Sequence, residues 1–284
     1  MPPRSNPTAR QVRLGSELRK LREASGMPAK EAGALLGGGS AQISHIEAGR
    51  WGVSADRVRH MAKLYSCDDA VLIAALCAIT EERRGQHWWD AYRGVLAQRF
   101  MDIAELEHHA IHLRYLQSVT FPGLMQVEGY ARALFGSAVP GLSVDELEAR
   151  VEHRLRRRIV LTCDSPPRLD AIIHEAALRM RIGGRKVAQE QLDHVLEISQ
   201  QPGVVVRVIP FTHESFVDVS QTALYAFGVV PQLDTVQVDT PLGGRYLDAV
   251  TDLDSYRKRL DLVLQSSLSP AESRAFIHRI AREL

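Results

Sequence analysis

Ser40, Ala41, Gln42, Ser44 and His45 place small and hydrogen-bonding side chains in one short stretch whose apolar positions, Ile43 and Ile46, recur at helical spacing. On a helix these polar residues point away from the apolar side. A glutamine there can donate to and accept from adenine at once, a serine can play either part, and a histidine can donate to guanine or phosphate. Arg50, just beyond the stretch, and Arg57 and Arg59 carry the charge that phosphate contacts need, and Lys30 lies on the segment before it. Glu47 is expected to hold the fold together through an internal hydrogen bond rather than to face an anionic partner. Such a group is either a merely solvated helix face or, if the stretch is a nucleic-acid-reading helix, the set of candidate DNA-contacting residues Ser40, Ala41, Gln42, Ser44, His45, Arg50, Arg57 and Lys30.

Other groupings of reactive residue types are weaker. Glu105, His108, His109 and His112 have the i, i+3, i+4, i+7 spacing that could bring nitrogen and oxygen ligands onto neighbouring helical turns. A polar helix face beside Ile103, Leu106 and Ile111 accounts for them more simply, and no metal or cofactor is expected. Trp88-Trp89 could form a stacking cleft, but packing is the better reading. Arg154 with Arg156-Arg157-Arg158 reads as a solvated helix end, with a site for an acidic partner as the alternative. His174-Glu175 has the composition of a dyad, yet Glu175 equally suits a helix first turn. There is no nucleophile elbow, phosphate loop or zinc-type cysteine spacing, so no enzyme is expected.

The elements that must position the first group follow from punctuation and period. Helix one is expected over about 12–24, ending near Gly26. Pro28 to Leu36 is a second helix with Ala32, Leu35 and Leu36 on its apolar face, broken by Gly37-Gly38-Gly39. Ser40 can cap the next helix and Gly49 can stop it. Ser54 caps a fourth helix carrying Val58, Met61 and Ala62, and a strongly apolar fifth runs over about 68–79, closing the small domain or packing on a second copy. Residues 1–66 hold 11 Lys/Arg and 5 Asp/Glu, a charge of +6; the remaining residues hold 24 and 29, a charge of −5. The basic excess coincides with the candidate DNA-contacting residues, the footprint expected of phosphate-driven affinity.

The pattern Leu14…Leu18…Leu21-Arg22…Gly26, Ala32…Leu35-Leu36-Gly37 and Ile43-Ser44-x-Ile46-Glu47-x-Gly49 resembles the Xre-type (lambda-repressor-like) helix-turn-helix regulators. In that family the first motif helix usually opens with a Thr-Gln pair; here Pro28-Ala29 stands in its place. The resemblance implies a DNA-binding transcription regulator whose second motif helix enters the major groove.

Downstream, Glu81-Glu82-Arg83-Arg84-Gly85-Gln86 is the expected hinge. A helix carrying Trp88, Trp89, Tyr92, Val95, Leu96 and Phe100 is expected next, then helices over about 102–112 and 124–135, and a long one to about 161 opened by a Ser143-Val-Asp-Glu146 capping box. After that the period changes. Strands are expected at 168–173, 204–209, 222–229 and 235–238. Helices are expected at 175–180, 187–199, about 252–266, and from a capped Ser269-Pro-Ala-Glu272 start. The fold class is therefore α+β. An N-terminal all-α five-helix helix-turn-helix domain (12–79, after a disordered lead-in, 1–11) precedes a larger mixed α+β domain with a small sheet (80–284, its helical part 86–161 and its sheet-containing part 168–284).

Phe121-Pro-Gly-Leu-Met-Gln126 with Tyr130-Ala131, Arg154-x-x-Arg157, Glu175-Ala-Ala-Leu178, Gly183-Gly184 with Gln191-Leu192, Val208-Ile-Pro-Phe211 and Leu268-Ser-Pro-Ala-Glu-Ser273 resemble a domain of unknown function found behind Xre-type units in actinobacteria, including WhiJ-like and antitoxin-like regulators. That resemblance implies a small protein partner encoded nearby; the motif and the basic segment lead to the expectation of an operator near the protein's own or the adjacent gene. A homodimer is expected because one motif buries too little surface for tight specific binding. The alternatives are an antitoxin-like interaction protein whose main role is to bind the neighbouring small protein, and a one-component small-molecule sensor. No apolar run reaches the roughly 18 residues of a membrane span, and Cys67, Cys77 and Cys163 imply no disulfide framework. Cytoplasmic residence is the default expectation.

Overall fold

A computed structural model of the protein describes residues 6–82, 85–214, 218–240 and 243–284. Arg83-Arg84 of the expected hinge and residues 1–5 of the expected lead-in lie outside the described residues. The fold is α+β, an N-terminal helical region followed by a mixed domain with a six-stranded sheet. The chain divides into two compact units. One takes in Met1–Arg93, Gln98–Leu106 and Gly228–Asp234, and the other Gly94–Ala97, Glu107–Phe227 and Thr235–Leu284.

The first unit begins with α1 (Ala9–Ala24), three residues earlier than the apolar pattern places it. The reason is a polar cap: the Thr8 hydroxyl accepts the Gln11 amide while the Gln11 side chain accepts the Thr8 amide, a reciprocal pair that satisfies two donors left open at a helix start. α2 (Ala29–Leu35), α3 (Ser40–Glu47), α4 (Ala55–Leu64) and α5 (Ala70–Glu81) follow. Leu14, Leu18, Ala32, Ile43, Ile46, Val58, Met61, Leu72 and Leu76 form their shared core. Ser54 accepts the Arg57 amide at 3.2 Å, as its position promises. α5 is capped instead by Asp69, which takes the Val71 and Leu72 amides. Leu35 is a correction: it is 54% exposed, and the buried side of α2 is Ala32 and Gly33.

Residues 88–92 form one short 3₁₀ turn rather than the start of a helix reaching Phe100; Trp89 and Tyr92 are buried there. Phe100 belongs to α6 (Gln98–His109). Within this unit Glu105 is 9% exposed and one of its carboxylate oxygens has no hydrogen-bond partner. Burial pushes its pKa up to about 7, against a smaller opposing effect of the Thr8 hydrogen bond. Between the unfolded value and 7 the folded state therefore holds more protons than the unfolded one, so stability is full at low pH and declines as pH rises through that window. Urea denaturation across pH 4–8 is expected to show this decline in the wild type and its loss in Glu105→Gln; parallel profiles would contradict it.

The second unit is built on a sheet of order β3-β2-β1-β4-β5-β6: β1 (His112–Gln117), β2 (Arg168–His174), β3 (Val204–Ile209), β4 (Ala223–Phe227), β5 (Thr235–Thr240) and β6 (Gly243–Leu247). β1, β2 and β3 run parallel, and β4, β5 and β6 continue antiparallel. Parallel neighbours need crossover connections. α7 (Glu128–Gly136) and α8 (Val144–Arg156) connect β1 to β2, and α9 (Glu175–Arg179) and α10 (Arg185–Ile198) connect β2 to β3. α11 (Val250–Gln265) covers one sheet face, packing Leu253, Leu260 and Val263 on Leu116, Ile172, Tyr225 and Val236. α12 (Pro270–Glu283) opens with the expected capping box of Ser269 and Glu272. At α8 the box is half formed: Ser143 accepts the Glu146 amide, but the Glu146 carboxylate pairs with Arg150 at 2.6 Å. The apolar β3 lies at the edge of the sheet. Its open side is closed by Ser273, whose hydroxyl accepts the Val208 amide, and by the Leu268 amide, which donates to the Val208 carbonyl.

Candidate nucleic-acid interface

α2 and α3 form a tight corner. After α2 the Gly37 amide returns to Ala34 and the Gly38 amide to Gly33, closing the helix end while the chain turns. Two glycines inside helices allow the close packing. A Cβ on Gly33 would stand 2.6 Å from the Gly39 carbonyl carbon, and one on Gly15 would stand 2.4 Å from the Glu47 carbonyl oxygen. Glycine weakens a helix interior, so both positions are explained by approach rather than propensity: Gly33 lets the turn fold onto α2, and Gly15 lets the end of α3 rest on α1. Neither was singled out from sequence, where an isolated glycine in a helical pattern carries no information about what approaches it.

The orientation of α3 is fixed at both ends. Ile43 and Ile46 are buried. Glu47 makes a two-pronged pair with Arg22 on α1, at 2.5 Å and 2.9 Å, and Arg22 also donates to the Met27 carbonyl at 2.9 Å. The helix stops as Gly49 takes a φ of 70° and Arg50 donates its amide to the His45 carbonyl at 2.9 Å. Ser40 is the first residue of α3 rather than its cap; Gly39 stands at that position and offers no side chain.

Ser40, Ala41 and Ser44 are exposed on the side of α3 opposite Ile43 and Ile46, and the Ser44 hydroxyl donates to the Ser40 carbonyl at 3.0 Å. Gln42 is half-buried, its amide group lying over Gly38. His45 stacks on Trp51, with ring centroids 5.5 Å apart and planes 20° off parallel. Trp51 is a residue that the sequence reading missed; its only signal is an aromatic just past the helix stop. Lys30 and Arg50 are exposed. Arg57 is half-buried and donates to the Leu36 carbonyl at 3.4 Å, which ties α4 to the end of α2. Arg59 pairs with Asp56 at 2.8 Å on the surface. The arrangement is one rigidly seated helix presenting small polar groups, flanked by cations.

The remaining groupings separate. His112 is on β1, not α6, and its Nε2 lies 2.9 Å from Asp170, so the helical spacing of the four metal-type residues does not exist. His174 accepts the Ala176 amide through Nδ1, and Glu175 accepts the Phe211 amide at 2.7 Å and pairs with Arg179. Both residues of that would-be dyad brace the junction of β2 and α9. Of the arginine run expected as a solvated helix end, Arg156 alone is exposed. Arg157 is buried and pairs with Glu107, while Arg154 and Arg158 are half-buried. No described helix is long and apolar enough to cross a membrane.

No curated protein and no solved structure matches the chain. Two family models match it. A helix-turn-helix domain covers residues 13–76, the segment that holds α2 and α3, which is the architecture of a DNA-binding regulator. A domain of unknown function, DUF5753, covers residues 100–279. That second match spans more than half of the chain, and the protein therefore belongs to the DUF5753 family, with a helix-turn-helix domain at its N-terminus.

Proposed function

We propose that the protein is a sequence-specific transcription regulator of the Xre type, resident in the cytoplasm, in which α3 enters the major groove. The observation that carries this reading is the exposed Ser40, Ala41 and Ser44 face of α3, set opposite a buried Ile43/Ile46 face within a segment of charge +6. In this reading the α3 residues and Gln42 read base edges, and Arg50 and Lys30 contact phosphates. The geometry of His174 and Glu175 supports a structural role for both, in keeping with a protein that is not an enzyme.

The direct test is footprinting of the full-length protein on DNA upstream of its own and the adjacent gene. A protected site is expected, with log affinity falling linearly against log salt by about 0.9 for each neutralised phosphate. Absence of any protected site, or salt-independent retention, contradicts the reading.

The larger domain is proposed to dimerise and to bind a small protein encoded nearby. What supports the dimer is that one motif presents too small a surface for nanomolar specificity, so paired half-sites about 34 Å apart are expected; what supports the partner is the resemblance of the larger domain to antitoxin-like regulators. Light scattering is expected to give twice the chain mass, with the neighbouring small protein co-eluting when the two are expressed together. A monomer that stays monomeric on operator DNA refutes the dimer, and separate elution refutes the partner.

A further inference from the structure

The arginine run at the end of α8 contains two kinds of cation. Arg157 has a carboxylate: its guanidinium donates to both oxygens of Glu107. Arg154 and Arg158 do not. Arg154 donates to the side-chain oxygen of Gln126 and lies over the Phe135 ring, 4.7 Å from its centroid, and Arg158 donates to the backbone carbonyl of the same glutamine. Among the described residues neither forms an ion pair, and the Arg158 Nε has no hydrogen-bond partner. One residue thus gathers two guanidinium groups whose partners are all neutral.

The gathering residue is itself immobilised. Gln126 is 2% exposed and donates to the Phe121 carbonyl at 2.8 Å. Gln191 on α10 grips the chain on both sides of it, accepting the Val127 amide at 2.9 Å and donating to the Met125 carbonyl at 2.7 Å. Phe121 to Gln126, Arg154 to Arg157 and Gln191 stood out separately in the sequence and meet here. α7 starts directly after this segment, with Val127 at its cap position and no side-chain cap.

Partial burial and neighbouring cations act on the titrating groups here, with Glu107 and Asp239 opposing the effect at Arg154. Burial, and then the charge of Arg157, lower the Arg154 pKa to about 9. Burial lowers that of Arg158. His194 on α10, whose Nε2 has no partner, is lowered by burial and then by the Arg158 charge. Partial burial of two cations that form no ion pair of their own costs free energy that a bound anion would offset.

We propose that Arg154 and Arg158, held together by Gln126, form a binding site for a phosphate group, free or carried on a small molecule. Two guanidinium forks match the charge and the several oxygens of a phosphate dianion better than the single charge of a carboxylate. The inference concerns the DUF5753 domain and stands whether or not α3 reads DNA.

Thermal unfolding of the full-length protein tests it, in inorganic phosphate, glycerol phosphate or acetate, with ionic strength held constant by sodium chloride. Either phosphate is expected to raise the midpoint by about 3–6 °C at saturation. Glycerol phosphate acting at lower concentration than inorganic phosphate points to an ester ligand, and equal potency points to the free ion; both support the site. Arg154→Gln and Arg158→Gln are expected to lose most of the rise, whereas Arg19→Gln, at an exposed arginine of α1 paired with Glu23, keeps it. If a glutamine variant fails to fold, calorimetric titration of the wild type, Arg154→Lys and Arg158→Lys with phosphate decides, with weakened binding expected in the lysine variants. A wild-type midpoint identical in phosphate and chloride, an equal rise in acetate, or a rise that survives both glutamine variants would overturn the proposal.

Discussion

Glu47→Ala is expected to lower the stability of the N-terminal unit by about 3–5 kcal/mol, the typical cost of removing one partner of a buried ion pair. The Arg22 and Glu47 side chains are 10% and 7% exposed, so the substitution leaves Arg22 with the Met27 carbonyl and only the longer, solvent-facing pair to Glu23 at 3.7 Å. Native domains are stable by only about 5–15 kcal/mol, so this loss consumes a large share of the total. Because Glu47 is the last residue of α3, DNA retention should fall with the fold. An Arg22→Met/Glu47→Leu double variant should recover much of the stability, since apolar replacement of both partners removes the stranded charge. Thermal melting of the three proteins checks this. A Glu47→Ala protein that melts like wild type and binds DNA more tightly would place Glu47 against the phosphates instead.

Glu107→Ala is expected to cost the larger unit about 3–5 kcal/mol for the same reason. Glu107 is 1% exposed and holds Arg157 through both carboxylate oxygens while accepting the Tyr115 hydroxyl from β1. Losing it leaves a buried arginine beside a buried phenol, whose pKa burial already lifts well above the ordinary value. Tyr115→Phe removes only one hydrogen bond to a charged group and should cost about 1.5–3 kcal/mol. Urea denaturation followed by far-UV circular dichroism gives the ranking. Equal small losses for both variants would mean that the triad is not a structural centre.

What the sequence made legible was local. Ser54, Ser269-Pro-Ala-Glu272 and the β-branched run at Val204–Ile209 each carry their own start, stop or propensity signal, and each forms as expected. The helix-turn-helix was legible because glycines and an apolar period of 3.6 residues agree over a short span. β1 was hidden because His112 continues the helical spacing of His108 and His109, and because the strand is held by pairing with the distant β2 and β4. β6 was hidden because Gly243-Gly244 has poor strand propensity and is held by pairing to β5. The candidate DNA-contacting residues stand out in the sequence by type and spacing, yet the features that seat α3 do not. Gly15, Gly33 and the Arg22 partner of Glu47 act across tertiary distance. Arg157 misled for the same reason, its partner being far away in sequence at Glu107.

Titration of the full-length protein onto its footprinted operator and onto a scrambled duplex, for wild type, Gln42→Ala and Arg50→Ala, tests the central claim that α3 reads DNA. Gln42→Ala is expected to lose about 1–3 kcal/mol of binding on the operator and little on the scrambled duplex. Arg50→Ala is expected to lose similar amounts on both and to lower the salt slope by about 1. Equal losses for Gln42→Ala on the two duplexes, or a wild type that does not distinguish them, would contradict the claim.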